Sequence, residues 1–183
     1  MAFPRGTLLI DARSAGARLP RELALVAPLA ADQAFDLMVI DDTRDPRVAG
    51  IARRHGARHL RLHGATLGER LGTTIPTTSG AVLVFPIIGC LAGTRTLLRV
   101  AQRVGAGEVD AVSLPGNTPG LIARLLGRRM PADAAGVCLS RDWYDRLGGC
   151  DPRLDRDAIA DLLERLRLCG ARLERAAPDR GAG

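Results

Sequence analysis

Lysine is absent from this 183-residue chain: all 26 basic residues are arginine. An early Gly- and Lys-rich phosphate loop, as in a nucleotidyltransferase, is therefore excluded. No folding argument demands the skew, which reads as coding bias in a GC-rich genome. Aromatic residues make up 3% of the chain, so stacking platforms for single-stranded nucleic acid are scarce. The arginines are scattered without a block of five or six, and no nucleic-acid partner is expected. Cys90, Cys138, Cys150 and Cys169 form no Cys-x-x-Cys pair, which argues against a zinc knuckle or a redox motif. Reduced thiols and a cytoplasmic location follow as expectations. The longest uncharged apolar run, Gly80 to Gly93, is about 14 residues, short of the ~20 that span a bilayer. The start, Met-Ala-Phe-Pro-Arg-Gly, lacks the pattern of a signal peptide. A Ser-His-Asp hydrolase would need a Gly-x-Ser-x-Gly elbow, and there is none.

What is present suffices for one buried core: 46% of residues are apolar. A single domain over residues 4–177 is expected, with 178–183 as a frayed, disordered tail. The net charge of +6 would attract an anionic ligand such as a nucleoside diphosphate, or favour peripheral attachment to an acidic membrane surface.

Apolar runs and helical periodicity alternate along the chain. Strands are expected at Thr7–Ile10, Leu37–Ile40, Arg58–Leu62, Ala81–Phe85, Val109–Leu114 and Gly136–Leu139. Helices are expected at Pro20–Ala31, Pro46–His55, Thr66–Gly72, Thr94–Val104, Gly120–Leu126, Arg141–Leu147 and Asp157–Leu168. This order implies an α/β three-layer sandwich around a mostly parallel central sheet, Rossmann-like in plan.

The most informative stretch is Leu37-Met-Val-Ile-Asp-Asp-Thr-Arg-Asp-Pro46. A buried strand ends there on Asp41 and Asp42. The carboxyl edge of an open α/β sheet is where ligands bind, so both acids are candidates for contacts to a ribose or a base. Asp45 is read either as part of that site or as the cap of the helix that Pro46 opens. His55, His59 and His63 recur at intervals of four, but Gly56 breaks the helix that would align them, so no three-histidine metal site is expected. Trp143 and Tyr144 read as packing residues, and the pairs Arg53-Arg54 and Arg128-Arg129 as solvated surface.

Three segments together resemble the family 2 glycosyltransferases of the GT-A fold. They are Val39-Ile-Asp-Asp-Thr-Arg-Asp45, Ile51-Ala-Arg-Arg-His-Gly-Ala-Arg58, and Val137 to Leu154 with its Leu-Gly-Gly-Cys-Asp-Pro run. Asp161-Leu-Leu-Glu-Arg-Leu166 is similar to the helix after that family's Glu-Asp motif, and the resemblance covers residues 7 to 176. It implies a nucleotide-diphosphate sugar as donor, with Asp41 and Asp42 at the base and ribose and Asp45 as the last acid of the signature. It also implies a divalent metal on two carboxylates after the strand 81–85, and a general base at the start of the last helix.

The chain departs from this pattern at both chemical positions. Ile87 and Gly89 stand where the metal-binding acids belong, and neither offers oxygen to a hard cation, so no metal site is expected. Ala158 and Ile159 stand at the Glu-Asp pair, with Asp155 and Asp157 close enough to serve as base if the register shifts. The first strand ends in Asp11-Ala-Arg-Ser, where the family has a Pro and an Asn-Glu pair. Two readings follow: a glycosyltransferase-like protein that holds a nucleotide sugar, or a non-catalytic GT-A-fold pseudoenzyme acting as a scaffold, with the apolar Ile87–Leu91 region as its partner surface.

Overall fold

The computed structural model describes residues 5–32, 34–85, 93–115 and 134–176. Its centre is a seven-stranded sheet. The strands are β1 (Gly6–Asp11), β2 (Phe35–Asp41), β3 (Arg58–Arg61), β4 (Val82–Phe85), β5 (Ala111–Pro115), β6 (Ala134–Ser140) and β7 (Leu173–Arg175). They lie in the order β3-β2-β1-β4-β6-β5-β7. β1 is central and pairs in parallel with β2 and β4, while β3 continues the parallel half beyond β2. β6 runs antiparallel to both β4 and β5, and β7 closes the far edge parallel to β5.

The helices are α1 (Ala12–Ala15), α2 (Leu19–Ala31), α3 (Arg47–Arg54), α4 (Leu67–Thr74), α5 (Thr94–Gly105), α6 (Arg141–Arg146) and α7 (Ala158–Leu168). Side chains alternate along each strand, so every central strand feeds two cores. Leu8 and Ile10 of β1, Leu37 and Val39 of β2, and Val82 and Val84 of β4 meet Leu23, Val48, Leu97 and Ala101 from α2, α3 and α5. The intervening Leu9, Met38, Ile40, Leu83 and Phe85 meet Leu71, Tyr144, Leu162 and Leu166 from α4, α6 and α7. Helices on both faces of one sheet make the expected three layers.

Several expected features have physical counterparts. Gly56 closes α3 at φ 70°, a conformation that costs glycine nothing. Ile159, Leu162, Leu163 and Leu166 form the buried stripe of α7. Two elements had no sequence expectation: α1, which follows β1 without a loop, and β7. The expected helix at Gly120–Leu126, the Ile87–Leu91 surface, Cys90, Arg128-Arg129 and the tail 178–183 lie outside the described residues. Among the described residues, no helix is long and apolar enough to cross a membrane.

Candidate functional site

Neighbouring parallel strands β1 and β2 both end on carboxylates, and the structure divides the labour among them. Asp11, the last residue of β1, caps α1 by accepting the backbone N–H of Ser14 at 3.0 Å and the hydroxyl of the same serine. Its other oxygen lies 3.0 Å from Nη2 of Arg70. Arg70 sits on the buried face of α4 with Leu67, Leu71 and Thr74, and is only 1% exposed. Its Nη1 donates to Asp42 Oδ2 at 3.1 Å and to the Ala65 carbonyl at 2.6 Å.

Asp42 Oδ2 also accepts from Nη1 of Arg13, on α1, at 3.0 Å. Nη2 of the same arginine lies 3.5 Å from Asp155 Oδ2. The Asp42 hydrogen bond, with the charges of Asp155 and Asp42 behind it, holds the Arg13 proton more firmly than usual. A continuous chain of charge, Asp11 to Arg70 to Asp42 to Arg13 to Asp155, thus ties four parts of the chain together over the sheet edge.

Asp155 is held from below. Its Oδ1 accepts the Leu67 N–H at 3.0 Å, and Gly68 N–H donates to the Leu154 carbonyl at 2.9 Å. The Thr66 hydroxyl donates to the Pro152 carbonyl and also caps α4 by accepting the Glu69 N–H. Contact is so close that a Cβ on Gly68 would sit 1.9 Å from the Asp151 carbonyl oxygen. Only glycine lets the two backbones meet here.

Asp41 is placed differently from its neighbour. Its side chain is fully buried: Oδ1 accepts the Thr43 N–H at 2.8 Å and the Thr43 hydroxyl at 2.7 Å, and Oδ2 lies 2.9 Å from His59 Nε2. Burial pushes this carboxyl up, but the Thr43 and His59 hydrogen bonds together outweigh it and hold it below its ordinary range. Asp41 therefore shapes the turn that carries Asp42 and offers no exposed oxygen to a ligand. Asp45 accepts the Arg47 N–H at 2.9 Å and pairs with the Arg47 guanidinium, which draws its pKa down to about 2. These contacts tie Asp45 to the first turn of α3, whose N-cap is Pro46.

Two cavities open near Asp42, one lined by the two arginines that hold it and the other by Asp42 itself. One, of about 500 Å³, is lined by Arg13, Ser14, Leu67, Arg70, Asp155 and Arg156. The other, of about 630 Å³, is lined by Asp42 itself, Arg44, His63 and Gly64. Asp157, by contrast, is exposed at the start of α7, makes no side-chain capping bond and does not line the first cavity. Ala158 and Ile159 are buried in the core beneath it. Tyr144 is also core, edge-on to Phe85 at 5.7 Å, while Trp143 carries Arg146 over its ring.

Asp42 and Asp155 were singled out from the sequence, whereas Arg13, Arg70 and His59, which contact Asp42 or Asp41, were not read as site residues. For Arg70 a signal existed: it shares an apolar stripe with Leu67 and Leu71, and a cation buried among apolar neighbours requires an acid to meet it. For His59 there was none, since its partner lies on the adjacent strand.

Chains of known structure share this architecture. Glucosyl-3-phosphoglycerate synthase from Mycobacterium tuberculosis, in complex with phosphoglyceric acid, superposes with a TM-score of 0.73 at 18% identity, over 94% of this chain and 69% of its own. The same enzyme with Mn2+, UDP-glucose and phosphoglyceric acid gives 0.71 at 18% identity, over 97% and 72%. A mannosyltransferase from Pyrobaculum calidifontis, in complex with GDP-Man and Mn2+, gives 0.69 at 18% identity, over 99% of this chain and 59% of its own. No family model matches the sequence, and no curated protein does. The chain has the GT-A fold.

Proposed function

We propose that this chain binds a nucleotide-diphosphate sugar across the carboxyl ends of β1 and β2, as a glycosyltransferase-like protein. The observation that carries the reading is Asp42. Its side chain is 7% exposed, clamped by two arginines that line one cavity, and itself lines another, at the sheet edge where α/β folds take ligands. Its Oδ2 accepts from both arginines, and its Oδ1 is buried with no hydrogen-bond partner among the described residues. The cavity beside Arg44 and His63 takes the base, and the one beside Arg13 and Arg70 takes the diphosphate and sugar. Solved neighbours of the same fold carry UDP-glucose or GDP-Man, which supports this donor class.

If transfer occurs, the acceptor hydroxyl needs a base within hydrogen-bond reach. Of the two acids singled out from the sequence, Asp155 lines the cavity and Asp157 does not, so the role falls to Asp155. A second reading, a non-catalytic scaffold of the same fold, draws on the burial of Ala158 and Ile159 where a base would be expected. Its partner surface would be the Ile87–Leu91 region.

Titration calorimetry with UDP-glucose and GDP-mannose tests the binding claim. Binding to at least one donor, weakened about tenfold or more by Asp42→Ala, is expected. Silence toward every donor at millimolar concentration would refute it. A transfer assay on a donor that binds then separates the two readings: turnover abolished by Asp155→Asn marks an enzyme, and binding without turnover marks the scaffold.

A further inference from the structure

The wall of the cavity beside Asp42 is built from guanidinium groups, and the acids around it are already engaged. We propose that Arg13 and Arg156 hold the diphosphate directly, beside the buried charge of Arg70, so that the nucleotide binds without a divalent cation. The inference rests on the nucleotide-sugar reading above and deepens it.

The donor set does not fit a hard cation, which takes several oxygen ligands. Asp11 and Asp42 are both bound to Arg70, Asp42 also to Arg13, and Asp155 to the Leu67 N–H with Arg13 alongside. A dication placed on any of them would sit beside at least one guanidinium and have to displace it. In sequence, the stretch from Pro86 to Gly93 after β4 contains no carboxylate, and its sole side-chain donor is the soft sulfur of Cys90.

The same residues fit a diphosphate. Guanidinium presents five N–H donors in a planar fork that matches phosphate oxygens, and it stays charged at any working pH. Arg13 directs one nitrogen at Asp42 and another at Asp155, which leaves N–H groups for a further acceptor, and its side chain is 53% exposed. Arg70 is almost wholly buried in the cavity wall, and its Nε has no hydrogen-bond partner. Arg156, exposed, also lines the cavity and carries no ion pair among the described residues. The partly buried hydroxyl of Ser14 also lines the space. A cavity of about 500 Å³ is ample for a diphosphate and a hexose.

The test is titration of UDP and GDP into the full chain, once in EDTA and once in millimolar MnCl2, with uridine and guanosine as controls. The same dissociation constant within about twofold in both buffers is expected. Arg156→Ala and Arg13→Ala should each weaken diphosphate binding in EDTA about tenfold or more, and Arg156→Ala should change nucleoside binding little. Arg156 is exposed, so its variant should keep the wild-type melting temperature, which guards against a folding artefact. Binding that appears only with Mn2+, or arginine variants that leave the constant unchanged, would overturn this inference while the nucleotide-sugar reading stands. Absence of binding in both buffers would overturn both.

Discussion

At the scale of single residues, Arg70 is the side chain on which the sheet edge depends. It is buried between Asp11 and Asp42, and removing one member of a buried ion network strands the others without water or partner. Arg70→Ala should therefore cost about 3–5 kcal/mol in urea unfolding. A double variant that also replaces Asp11 by Asn should cost less than the sum of the two single changes, because the stranded charge goes with its partner. Asp41 makes a separate prediction about acid. Its folded-state pKa lies below the ordinary carboxylate value near ~3.9, so the stability it contributes is complete above that value and is lost as pH falls through the depressed one. Wild-type stability should decline below about pH 4, and Asp41→Asn should flatten that decline. The variant should also start lower, by roughly 1.5–3 kcal/mol at neutral pH, since a buried charged hydrogen-bond acceptor has been replaced. Urea midpoints measured across pH would show both effects. Asp45 and Asp151 are drawn down to about 2 by Arg47 and Arg153, but their arginine partners are exposed, so salt and water screen the effect.

At the scale of elements, the site depends on α4 lying hard against the segment before α7. Gly68→Ala puts a methyl 1.9 Å from the Asp151 carbonyl oxygen, and one of the two backbones must move. A loss of about 1–3 kcal/mol is expected in thermal unfolding. Nucleotide affinity should fall with it, because Asp155 and Arg70 are positioned by the same contact. A Gly68→Ala chain as stable as wild type would show that the two segments are not packed as described. Most elements were legible from the sequence, since short continuous apolar runs at β1, β2 and β4 and the apolar stripe of α7 declare buried strands and a packed helix. The exceptions have reasons. α1 has four residues and β7 three, too few for any period to show. The antiparallel direction of β6 was equally hidden, because an apolar run does not say which way it points. The site was legible only in part: acids at a strand tip announce themselves, whereas Arg13 and His59 matter through partners far along the chain.

At the scale of the whole molecule, the order β3-β2-β1-β4-β6-β5-β7 sets the location of everything else. β1 lies between β2 and β4, both parallel to it, so the tips of β1 and β2 lie side by side, and the acids of both meet the arginines of α1 and α4. On the proposed function, the +6 net charge would favour an anionic ligand, and the arginines at that edge would meet it with forked donors. The most direct measurement is a crystal structure of the chain grown with UDP or GDP, whichever binds, in the presence of EDTA. The account requires the base beside Asp42 in the cavity of Arg44 and His63, and phosphate oxygens within hydrogen-bond reach of Arg13 and Arg156. A nucleotide seated elsewhere on the molecule, leaving Asp42 without a ligand contact, would contradict it.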